Sequence, residues 1–146
     1  VAVLGSIWEY LPSLYGMTSV YCTPSIMEGF GMSIQEAAAC GVPAVASSRV
    51  PFAVEYLLGN ESSRREVVVP GTAQTMTVGE AAVVVPPDSV EALTAALDLL
   101  LSDEGLRRAM GRAARRITVP AFTWNNVTRK FLAEADIPVP EEAEGG

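Results

Sequence analysis

The sequence predicts an α/β fold, a parallel sheet of short buried strands flanked by helices. Three observations carry this. Apolar β-rich runs alternate with stretches of helix formers at the spacing of βαβ units, and such units almost force parallel pairing. Of the 146 residues 49% are hydrophobic and 18% charged, enough to bury a core and unlike the composition of disordered chains. The runs Pro43–Ala46 and Ala81–Val85 are apolar throughout, as buried strands are. The length suits one domain.

In chain order, Val1–Leu4 reads as a buried strand closed by Gly5. Because the chain opens on a strand already under way, with no Met, it is expected to be part of a longer polypeptide. Glu9–Tyr15 forms a short helix with Pro12 in its first turn, ended by Gly16. Ser19–Thr23 is β-rich and stops at Pro24. Met32–Cys40 holds strong helix formers and ends at Gly41; Pro43–Ala46 is the next strand. Phe52–Leu58 is a further short helix and Asn60–Arg65 a polar surface loop. Glu66–Val69 and Ala81–Val85 read as strands, with Pro70–Glu80 between them as a loop or hairpin. After Pro86-Pro87, Asp88 with Glu91 makes a D-x-x-E capping box for a helix to about Leu101, burying Leu93, Ala96, Leu97 and Leu100. Ser102 or Asp103 caps the next helix, with Leu106, Met110 and Ala114 on its apolar side, and Phe122–Ala135 is the last. The Pro/Glu/Gly-rich tail, 137–146, is expected to be disordered.

Composition removes several functions. A net charge of −7 argues against nucleic acid, which attracts basic surfaces. Without His and without paired Cys spacing, no metal site is expected. Cys22 and Cys40 read as buried free thiols. No apolar run is long enough to span a bilayer and no signal peptide opens the chain, so the cytoplasm is the default compartment. Arg107, Arg108, Arg112, Arg115 and Arg116 read as a solvated helix face, with contact to anionic lipid as the sharper alternative.

The stretch Pro24–Ser47 concentrates the chemistry. Glu28 and Glu36 stand with seven residues between them, and Gly29-Phe30-Gly31 forms a tight turn after the first. Glycines there let a ligand approach the backbone closely. The amides of Gly31, Met32 and Ser33 at the helix start lack intrahelical partners and suit a diphosphate. A carboxylate is a pure acceptor, so Glu28 before the turn suits sugar hydroxyls and Glu36, a turn into the helix, a ribose diol. Sugar, diphosphate and ribose would then lie in sequence across one helix start. Ser25 and Ser33 have no His to activate them, so a serine nucleophile is not expected, and no catalytic residue is assigned.

The frame Pro24-Ser25-Ile26-Met27-Glu28-Gly29-Phe30-Gly31, then Gln35-Glu36-Ala37, Ala39-Cys40-Gly41-Val42-Pro43 and Ala46-Ser47, resembles that of the glycosyltransferase group 1 family (family 4). These are retaining, nucleotide-sugar-dependent enzymes with the two-domain GT-B fold and a Glu-x7-Glu motif. The LPSLY before the motif, and VVVPPDSVEALTAALDLLLSD and FTWNNV after it, are similar to family landmarks. The resemblance implies a Rossmann-like sheet, with residues 1–136 as the N-terminally truncated C-terminal donor-binding domain. It implies that Glu28 holds donor-sugar hydroxyls, that Gly29, Phe30 and Gly31 line the sugar, that the Met32 and Ser33 amides hold the diphosphate and that Glu36 binds ribose. It further implies hexose transfer (glucose or mannose) from a UDP-, GDP- or ADP-sugar without cofactor or metal. The sugar or lipid acceptor would sit on an N-terminal domain outside this chain, which alone would be inactive. Two departures stand out. Arg49-Val50-Pro51-Phe52-Ala53-Val54-Glu55 replaces the family's Gly-Gly-x-x-Glu turn, and Asn60–Gly79 is a longer link than usual. The family's Arg and Lys for the diphosphate have no counterpart before Glu28; the first basic residue is Arg49. A non-catalytic nucleotide-sugar-binding or interaction module, or an epimerase or phosphorylase on the same fold, stands as the alternative.

Overall fold

A computed structural model describes residue 5 and residues 8–138. The expected strand at Val1–Leu4 and most of the expected disordered tail lie outside the described residues. One sheet of five strands orders them β1 (Tyr21–Thr23), β2 (Ala44–Ser47), β5 (Ala82–Val85), β4 (Thr75–Val78), β3 (Arg65–Val68). β1, β2 and β5 run parallel, in registers that include Tyr21 with Ala44 and Ala44 with Ala82. The α/β class therefore holds, with a parallel centre flanked by helices. β3 and β4 are antiparallel additions on the far side of β5. The Pro70–Glu80 segment is thus a hairpin return containing a strand. Its inward residues are Met76 and Val78, with threonines on the other face.

β2 and β5 are buried along their whole length because helices cover both faces. Alternate side chains divide between two cores, as the two-residue period of a strand requires. Ala44, Ala46, Ala82 and Val84 face the helix α2 (Met32–Ala39) and the helix α4 (Glu104–Ala121). Val45, Val83 and Val85 face the helix α3 (Val90–Ser102), whose buried residues are Ala92, Ala96 and Leu100. Leu93 and Leu97, expected inside, are half-buried at the margins of that contact. The α2–α4 face is lined with small residues, so the helices approach closely. A Cβ on Gly111 would stand 2.3 Å from the Gly41 carbonyl oxygen, and Arg115 donates to the Ala39 carbonyl at 2.6 Å.

Several local expectations are corrected. The helix α1 (Leu11–Met17) runs through Gly16 and ends a residue later. Phe52–Leu58 is not an α-helix: Ala53–Leu57 is a π turn, closed by Leu58 N–H donating to the Ala53 carbonyl at 3.0 Å. The wider turn lets the Leu57 and Leu58 carbonyls accept from Ala81 and Glu80, tying it to β5. Ser89, not Asp88, caps α3: its hydroxyl accepts from the Ala92 amide at 3.1 Å, while Asp88 has φ 58°. Asp103 caps α4, which continues past Ile117 through Pro120. The helix α5 (Trp124–Glu134) follows, capped by Thr123. Cys22 and Cys40 are free but exposed, not buried; Cys22 lies on β1, the outermost strand among the described residues.

Of the five arginines on α4, four are engaged within the molecule. Arg107 donates to the Leu100 carbonyl, Arg108 pairs with Glu104, Arg115 binds Ala39 and Arg116 pairs with Glu80. The solvated-face reading is therefore the one the geometry favours.

Candidate functional site

β1 delivers the chain to the carboxyl end of the parallel strands, where open α/β sheets bind ligands. The loop that follows is pinned from below. Ser47, buried at the end of β2, donates to the Ser25 carbonyl and accepts from the Arg49 amide. Thr23 and Ser25 hydroxyls bond at 3.2 Å. The turn then enters α2 through Gly31 at φ 101°, a left-handed conformation costly for any side chain. Space forbids one as well: a Cβ there would stand 2.9 Å from Ile34 Cγ2 and 3.0 Å from Val50 Cγ1. Gly29 differs, since nothing lies within 4 Å of its added Cβ. Gly31 is required by the fold, whereas at Gly29 the protein leaves open space.

Gly31 holds no side-chain cap for α2, so the helix start has its first-turn amides and the positive end of its dipole uncapped by side chains. Met32 and Ser33 are exposed at that start. Phe30 turns its ring inward, packing against Phe52 at 5.5 Å, Phe122 at 6.0 Å and Tyr56 at 6.2 Å. What Phe30 offers a ligand is therefore backbone. Its carbonyl is already taken by the Phe52 amide at 2.9 Å.

The two glutamates open into different cavities, one on each side of the turn. Glu28 is half-buried and accepts from the Gly29 amide at 3.2 Å. It lines a space of about 460 Å³ with Ile26, Met27, Arg49, Pro87 and Asp88. Glu36 lines a second space of about 560 Å³ with Met32, Ser33, Tyr15, Leu11, Trp8 and Gly5. That second space is walled mostly by apolar groups, with Glu36 as its charged member. Tyr15, buried to 7% exposure, donates its hydroxyl to Glu36 Oε2 at 3.2 Å. Burial, and then the Glu36 charge, push the Tyr15 hydroxyl well above the ordinary tyrosine range.

Both glutamates and the helix start stand out in the sequence, and the fold brings them to one end of the sheet. Tyr15 and Trp8, on α1 and the 3₁₀ turn before it, join Glu36 only in the fold, as Arg49 joins Glu28. The signal for Arg49 was its position two residues after β2, at the same sheet end as Glu28. Among the described residues no three His, Cys, Asp or Glu side chains are grouped as metal ligands would be, and no helix is long and apolar enough to cross a membrane.

Comparison with known proteins gives a consistent outcome. The chain is 34% identical over 125 residues to an MMP alpha-(1->4)-mannosyltransferase of Mycolicibacterium hassiacum, covering 86% of this chain and 26% of the relative. It is 33% identical to O-antigen chain mannosyltransferase B of Escherichia coli, covering 85% of this chain and 26% of that protein. The chain thus spans about a quarter of the length of these relatives. Among solved structures, the sucrose-phosphate synthase of Thermosynechococcus elongatus superposes with a TM-score of 0.67 at 28% identity, over 91% of this chain and 29% of that one. The model of the family "Glycosyl transferases group 1" matches residues 1–117, the sheet and the loops at the carboxyl end of its parallel strands included. The chain belongs to the glycosyltransferase group 1 family, and its sheet is the α/β half-domain of that family's GT-B fold.

Proposed function

We propose that this chain is the donor-binding portion, spanning residues 1–136, of a retaining hexosyltransferase that draws on a nucleoside diphosphate sugar. The carrying observation is the placement of two carboxylates in separate cavities on either side of a helix start whose amides have no side-chain cap. In this reading the diphosphate rests on the Met32 and Ser33 amides, where the helix dipole and unpaired N–H groups favour an anion. Glu28 accepts from hydroxyls of the hexose, Gly29 lets that sugar come against the backbone, and Gly31 shapes the turn that presents it. Phe30 supports the turn from the core side. Glu36 accepts from the ribose diol, with the base along the apolar wall beyond it.

Arg49 supplies the positive charge on the sugar side of the site, across a shared cavity from Glu28. A second cation for the diphosphate and the acceptor site would come from polypeptide outside this chain. Catalysis then rests on positioning and on stabilising the departing diphosphate. Both relatives described above are named as mannosyltransferases, which makes mannose the first hexose to test, with glucose second. Transfer is proposed to proceed without a bound metal, in which case a chelator leaves the rate unchanged.

The test uses the protein that contains this chain. UDP, GDP and ADP are titrated by calorimetry against wild type and Glu36→Ala. Loss of charge-assisted hydrogen bonds predicts about a tenfold weaker Kd for the nucleotide that binds. An unchanged Kd removes Glu36 from the site. Labelled NDP-mannose or NDP-glucose with acceptor then reports transfer, and the anomeric configuration of the product, read by NMR, tests retention. Epimerised donor without transfer would instead indicate the epimerase alternative.

A further inference from the structure

We propose that Tyr15 is a positioning residue for the nucleoside end of the site, holding the Glu36 carboxylate ready for the ribose diol. The inference rests on the reading of Glu36 as the ribose acceptor.

Tyr15 is the one buried residue of α1. Its ring is fixed by packing against Ala37 and Val42, and edge-on against Tyr21 at 6.1 Å. Tyr15 lines the cavity, and its hydroxyl donates to Glu36 Oε2. Glu36 is exposed, and an exposed glutamate on a helix ordinarily samples several rotamers. A ligand that needs one of them must order it, and ordering before the ligand arrives removes that cost from binding. Tyr15 provides the ordering from a side chain that is itself buried and packed.

The donor type matters. A carboxylate offers about four lone-pair sites, of which a phenol occupies one, leaving acceptors for two ribose hydroxyls. A Lys or Arg in the same place would neutralise the carboxylate and compete with the diol. The phenol keeps the charge available while fixing its direction. With its ionisation pushed upward by burial and by Glu36, the hydroxyl stays a donor throughout the working pH range. The pair therefore discriminates for a nucleotide with an intact diol.

The experiment measures Kd in the protein containing this chain, for whichever of UDP, GDP and ADP binds and for its 2′,3′-dideoxy form. Tyr15→Phe keeps the ring and is expected to weaken the ribonucleotide roughly three- to tenfold while leaving the dideoxy form unchanged. In a Glu36→Ala background the same change should have no further effect. Equal losses for both nucleotides would reduce Tyr15 to a packing residue and overturn the proposal. So would a Tyr15→Phe Kd within twofold of wild type while Glu36→Ala loses tenfold, an outcome that leaves Glu36 in the site. If Glu36→Ala has no effect, the ribose reading falls and this inference with it. Glu36→Asp is an independent check with Tyr15 intact, since one methylene less withdraws the carboxylate from the hydroxyl. Ribonucleotide affinity retained in that variant also overturns the proposal.

Discussion

Gly31 shows how one residue can decide the site. Its φ of 101° aims the first amides of α2 away from the core, and its missing Cβ lets Ile34 and Val50 close beneath it. Gly31→Ala combines left-handed strain with a clash against two packed side chains. A loss of about 1–3 kcal/mol in stability is expected, measured by urea unfolding. Gly29→Ala has open space around it, so its cost should appear in donor affinity and hardly at all in the urea midpoint. Much of this was readable from the residues. A Gly-x-Gly turn before a run of helix formers marks a helix start, and the flanking glutamates stand out because little else nearby is charged. Which glycine the fold requires was not readable, because it depends on Val50, nineteen positions later in the sequence.

At the scale of elements, α2 and α4 meet through backbone. Ala in place of Gly111 gains roughly 1 kcal/mol in helix propensity but places a methyl 2.3 Å from the Gly41 carbonyl oxygen. A backbone oxygen cannot rotate away, so the clash wins. Gly111→Ala should lower stability by about 1–3 kcal/mol, whereas Gly105→Ala near the start of the same helix should be close to neutral, both read by thermal melting. The elements themselves were legible wherever hydrophobic periodicity was strong, as in α3 and β5. β4 was not, since four residues of alternating Thr, Met, Thr, Val beside a Pro-Gly turn fit loop and strand alike. The cap of α3 was ambiguous for a related reason. Asp88 and Ser89 are both good caps, and the long-range partner is the Gln74 side chain, which accepts from the Ser89 hydroxyl, while Asp88 takes φ 58°. The π turn at Ala53–Leu57 has no sequence signature, because its widening is set by bonds to the segment leading into β5.

At the scale of the whole molecule, the buried Tyr15 couples stability to alkaline pH. Below 10.0, the ordinary tyrosine value, folded and unfolded chains both keep the proton. Above it the unfolded chain releases the proton while the folded chain holds it, since the native ionisation is shifted upward. Stability is therefore full below about pH 10 and declines as pH rises further. Urea midpoints collected from pH 8 to 11 should fall more steeply for wild type than for Tyr15→Phe, and parallel curves would show that Tyr15 contributes nothing. The fold class was legible at this scale because apolar strands between helices leave few arrangements. The antiparallel edge was not, because it depends on β4.

The anchoring of α2 at its rear has a mechanical meaning. Gly41 abuts Gly111, and the Ala39 carbonyl at the end of the helix accepts from Arg115, so two contacts resist sliding of the helix along its own axis. Its opposite end, bearing Gly31, Met32 and Ser33, behaves as the fixed jaw of a vice. On the proposed reading, a closing movement around a donor would be made against this end of the helix rather than by it.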